Sequence, residues 1–60
     1  MEKAIRAALP KVGQIYRDVR DRSFIVLGKS DRIFVEYADG RLKRLQQKEW
    51  DKLDPHVAAF

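Results

Sequence analysis

The chain has 60 residues, thirteen basic and nine acidic, giving a formal net charge of +4, and it contains no cysteine. A chain this short is one domain, burying only about 60% of the surface it could expose and drawing roughly 3–5 kcal/mol from an unaided core. The missing thiols exclude a disulfide framework and a thiolate zinc site, and they suit a reducing cytoplasm.

The N-terminus, Met1 to Arg6, is charged and has no apolar run of signal-peptide length. Nowhere does the sequence approach the roughly 18 consecutive apolar residues of a membrane span. The expectation is a soluble, cytoplasmic protein with no membrane role. Its charge is uneven: residues 1–30 hold seven basic and three acidic groups, whereas residues 31–60 hold six of each. Within the second half, Arg41, Lys43, Arg44 and Lys48 follow one another with no acid among them. A small basic domain is compatible with nucleic acid, and equally with a charge that serves solubility.

In chain order, residues 2–9 suit a two-turn helix with Ile5, Ala8 and Leu9 on one side, ended by Pro10. Eight residues do not hold a helix unaided in water, so this segment docks on the rest or frays, and residues 1–10 read as a short helix or arm before a domain over 11–60. Residues 11–17 read as a first strand, with a bend or bulge at Gly13. Residues 17–22 form a charged loop whose three arginines face two aspartates, a self-paired solvated segment. Residues 23–27, Ser-Phe-Ile-Val-Leu, are a continuous apolar strand suited to the sheet centre. Residues 28–31 read as a turn.

Residues 32–45 then carry the strongest local signal, two strands reversing at Asp39-Gly40. A two-residue loop sets Ala38 opposite Arg41, Tyr37 opposite Leu42, Glu36 opposite Lys43 and Phe34 opposite Leu45. That register leaves Arg44 opposite Val35, on the face expected to be buried, which calls for a bulge or a strongly bent strand. A three-residue loop with a bulge at Gly40 is the competing turn. Farther on, Trp50 and Leu53 share one face of a helical turn that Asp54-Pro55 terminates. Residues 56–60 either add a last strand or hang free.

Short, closely spaced strands with a bent hairpin and a terminal helical turn point to a mainly β fold, a small barrel of four to five antiparallel strands with a short helix at each end. The order Val12-Gly13-Gln14-Ile15-Tyr16-Arg17-Asp18, then Phe24-Ile25-Val26, then Val35-x-Tyr37-x-Asp39-Gly40 and a late Trp50 resembles small SH3-like barrel domains over residues 11–54. It is most similar to the short ones found in prokaryotes and their phages. The resemblance implies an SH3-like barrel of the broad type that includes Tudor-like and KOW-like modules, and therefore binding of nucleic acid or peptide in preference to catalysis.

The residue inventory agrees. The single histidine, His56, follows Pro55 in the tail, and Ser23 and Ser30 have no spaced histidine and acid to make a triad. Asp18, Asp21, Asp39 and Asp51 stand near basic residues in loops and turns, and no phosphate loop or metal-ligand cluster appears. The expectation is a non-enzymatic protein with no cofactor and no metal. The leading reading is DNA or RNA binding through the hairpin face of Phe34, Glu36, Ala38, Arg41 and Lys43, extended by Arg44, Lys48 and Arg17. The plainer alternative keeps Phe34 against Leu45 in the core and Lys43 against Glu36.

A second reading, from a different class, is a protein- or peptide-binding groove lined by Tyr16, Tyr37 and Trp50, whose rings would also cage a methylated ammonium. Its plain counterpart has Trp50 closing the core with the tyrosines at the rim. A third is assembly into a homodimer through the tail at Val57 to Phe60 or through the segment of Ile5, Ala8 and Leu9.

Overall fold

The computed structural model describes residues 9–58, so the helix expected over residues 2–9 lies almost wholly outside the described residues. Five strands and one helix follow in order: β1 (Ile15–Arg17), β2 (Ser23–Lys29), β3 (Ile33–Tyr37), β4 (Leu42–Leu45), α1 (Gln47–Leu53) and β5 (His56–Val57). The strands form one antiparallel sheet in the order β4-β3-β2-β1-β5, and it does not close on itself.

The first strand is shorter than its sequence suggests. Gly13 takes a φ of +88°, the Gln14 N–H donates to the Lys11 carbonyl, and regular pairing starts only at Ile15. Conversely, β2 runs through Gly28 and Lys29, where a turn is expected from the glycine. A register shift between Val26 and Gly28 makes Leu27 the extra residue of a bulge, and Gly28 then pairs with Phe34.

The hairpin reverses where expected but one residue out of the two-residue register. Ile33 pairs with Leu45, Phe34 with Arg44, Val35 with Lys43 and Glu36 with Leu42. The loop is the three-residue form, residues 38–40. The Gly40 N–H donates to the Tyr37 carbonyl at 2.9 Å, the Tyr37 N–H donates to the Arg41 carbonyl at 2.8 Å, and Gly40 sits at φ +92°. A two-residue type I′ turn would need positive φ at Asp39 as well, a cost that the three-residue turn with its single left-handed glycine avoids. The packing gain is direct: this register sets buried Leu45 against buried Ile33 and removes Arg44 from the core face.

Strand β3 alternates cleanly, with Ile33, Val35 and Tyr37 buried and Phe34 and Glu36 half-buried. The core gathers Tyr16, Phe24, Val26, Ile33, Val35, Tyr37, Leu45 and Trp50, with Leu53 packed against it. Trp50, presented by α1, is fully buried and meets Tyr16 and Phe24 edge-on, with ring centroids 5.1 and 5.8 Å away. Edge-to-face pairs of this kind add about 0.5–1.5 kcal/mol to the burial itself.

Helix α1 starts directly after β4, where the Gln46 N–H donates to Glu49 Oε1 at 2.7 Å. It stops at Asp54, whose φ of +50° turns the chain into buried Pro55, as the Asp54-Pro55 pair predicts. Residues 56–57 then add β5 to β1 through Tyr16–Val57 and Arg17–His56, the last strand that the tail was expected to supply.

Candidate nucleic-acid interface

Antiparallel pairing puts directly opposed residues on one face, and that sorts the basic residues of the hairpin. Phe34 and Arg44 share the outer face with Glu36 and Leu42, whereas Lys43 shares the core face with Val35. The single face expected to hold Phe34, Arg41 and Lys43 together therefore does not form. The one-residue register difference moves Lys43 to the other side.

What forms instead is a basic edge. β4 is an outer strand of the sheet, and Leu42, Lys43 and Arg44 are all exposed along it. Lys43, on the core face, places its ammonium 5.6 Å from the Tyr37 ring centroid. Arg44 leaves the strand in the opposite direction. Neither side chain is held in an ion pair among the described residues.

Beside Arg44 on the outer face lies a depression of about 310 Å³, lined by Leu27, Phe34, Val35, Leu42, Lys43 and Arg44. Its apolar floor has three sources. Phe34 lies across Gly28, where an added methyl would stand 3.9 Å from Phe34 Cδ2. Leu27 is turned outward at the bulge and Leu42 is 70% exposed. None of the lining residues is acidic. The sequence reading missed Leu27 and Leu42. The available signal was Leu-Gly at the end of an apolar strand, and the three-residue spacing of Leu42 and Leu45, which puts them on opposite faces.

The other expected contributors are placed less favourably. Arg41 follows the loop, and its Nε lies 2.9 Å from Asp39 Oδ2. The Arg41 backbone N–H, more than its side chain, holds the exposed Asp39 carboxyl below its ordinary value. Lys48 is exposed on the first turn of α1. Arg17 is on β1, three strands and about 14 Å from β4, and its Nη1 is paired with Asp21 Oδ1 at 2.9 Å.

The aromatic groove is not formed by its expected residues. Tyr16, Tyr37 and Trp50 are 2%, 6% and 0% exposed, packed into the core. Nor are the tyrosine hydroxyls left to solvent: Tyr16 Oη accepts from the Lys11 N–H, and Tyr37 Oη donates to Asp18 Oδ2 at 3.1 Å. Burial first, and then that bond to Asp18, pushes the Tyr37 hydroxyl up to about 12.

Among the described residues Asp18 is the buried charged one, and it was not singled out by the sequence. Its Oδ1 accepts from the Arg20 and Arg22 N–H groups, both at 2.9 Å, so one carboxylate shapes the loop after β1 and joins it to β3. Arg17 and Asp21 make the self-pairing expected of this loop, while Asp18 turns inward.

Among the described residues, no group of three or more histidine, cysteine or acidic side chains is gathered as a metal site, and no helix is long and apolar enough to cross a membrane. Comparison of the chain with protein-family models, curated proteins and solved structures gives no match.

Proposed function

We propose that this chain is a small non-enzymatic binding module that engages nucleic acid along the β4 edge, and that its sheet is an SH3-like barrel. The strand order β4-β3-β2-β1-β5, with a helical turn between β4 and β5, supports the barrel reading. One observation carries the functional reading. Lys43 and Arg44, neither in an ion pair among the described residues, leave the β4 edge on opposite sides, and Arg44 borders an apolar depression whose lining includes Phe34 and no acidic side chain. Cations there neutralise phosphates, and the apolar floor takes the flat part of a nucleotide. Lys48 extends the cationic line, whereas Arg41, held on Asp39, and Arg17, held on Asp21, stand outside it.

The test is fluorescence anisotropy with labelled DNA and RNA at low salt, comparing the native chain with a Lys43→Glu/Arg44→Glu double variant. The native chain binds and the double variant does not, while its circular dichroism spectrum is kept. Arg17→Glu, whose charge is already paired, leaves binding within about twofold. Absence of binding by the native chain to any of these polymers would overturn the proposal.

A further inference from the structure

We infer that the ligand is a single strand in preference to a duplex, with one base seated between Leu27, Phe34 and Leu42 and a neighbouring phosphate on Arg44. The inference rests on the reading of the β4 edge as a nucleic-acid site and adds the class of polymer.

Three features point to it. First, nothing here enters a major groove, which is about 12 Å wide and admits a helix or a free two-stranded ribbon. β3 is hydrogen-bonded on both sides, to β2 and to β4, so the hairpin is not a free ribbon. α1 is the only helix among the described residues; it has seven residues and turns Trp50 into the core. Second, the tip of the hairpin offers a duplex no free cation, because Arg41 is held on Asp39 with Nε 2.9 Å from Oδ2.

Third, the depression is open, apolar and small. At about 310 Å³ it sits at the lower end of the roughly 300–1,000 Å³ of small-molecule sites. That is room for one unpaired ring, not for a base still paired to its complement. Phe34 supplies the aromatic face, Leu27 and Leu42 supply the walls, and Arg44 lies at the rim. A stacked base with phosphates on adjacent cations is the pattern of sequence-tolerant single-strand binding.

The experiment compares a labelled oligothymidylate of about twelve nucleotides with a blunt duplex of equal length, at low salt. The single strand is expected to bind about tenfold tighter. Phe34→Leu is expected to weaken single-strand binding about tenfold and to leave duplex binding unchanged. Leu42→Ser removes a side chain that is mostly exposed, so it carries the test if Phe34→Leu does not fold; a loss of about threefold on the single strand is expected. Equal affinity for both polymers, or single-strand binding indifferent to both variants, overturns the inference and leaves the nucleic-acid reading standing. No binding of either polymer overturns both.

Discussion

Asp18 joins two parts of the molecule with one carboxylate. It accepts two backbone N–H groups from the loop after β1 and the hydroxyl of Tyr37 from β3. Hydrogen bonds to a charged group contribute about 1.5–3 kcal/mol, and an unpaired buried donor costs about 1–3 kcal/mol. Against a total of roughly 3–5 kcal/mol for a core of this size, Asp18→Ala is expected to leave the chain largely unfolded at 37 °C. Tyr37→Phe loses one bond and is expected to cost about 1–2 kcal/mol, read as a lower urea midpoint.

The pH dependence of the same contact has a definite sign. Tyr37 titrates near 10 when unfolded and near 12 when folded, so the native state holds this proton more tightly. Its stabilisation is complete below about pH 10 and disappears as the pH rises through 12. Thermal melts of the native chain and Tyr37→Phe are therefore expected to converge above about pH 10. A gap that stays constant with pH would contradict the assignment. Little of this contact was legible in the sequence. Arg17 and Asp21 are four residues apart and advertise their pairing, but Asp18 and Tyr37 are nineteen residues apart and meet only through the sheet.

At the level of elements, the hairpin shows how a turn is readable while its register is not. Asp39-Gly40 identifies the reversal in either loop form, because both need a left-handed glycine at Gly40. The choice between them depends on whether Leu45 reaches Ile33 or Phe34, a packing question that no local pattern answers. Gly40→Ala forces a side chain into φ +92° and is expected to cost about 1 kcal/mol or more, although nothing lies within 4 Å of the added methyl. Urea denaturation measures it; an unchanged midpoint would mean that the loop takes another form.

The bulge at Leu27 was hidden for a related reason. A run of Phe24-Ile25-Val26-Leu27 looks equally buried throughout, and only pairing with β3 shows that Leu27 is the residue turned out. The candidate site depends on both irregularities. The bulge exposes Leu27, and the three-residue loop brings Phe34 and Arg44 together while sending Lys43 to the other side of the strand.

Across the whole molecule, one side of the sheet is closed by α1 through Trp50 and the other displays an apolar depression beside a basic edge. The aromatic residues were recognisable by type, and their crowding into one core explains why Tyr16, Tyr37 and Trp50 do not line a groove. Trp50→Ala is expected to cost about 3–5 kcal/mol, as much as the total available, and so to abolish cooperative unfolding. Net charge spoke only of basic character. The useful property is its placement on an outer strand, where Lys43 and Arg44 leave in opposite directions.

The salt dependence of single-strand affinity tests this account most directly. With Lys43, Arg44 and Lys48 each neutralising one phosphate, log K is expected to fall with log salt at a slope of about −2, and Arg44→Gln to reduce that slope by about 0.7. A flat salt profile, or a slope that survives Arg44→Gln unchanged, would contradict the β4 edge as the site.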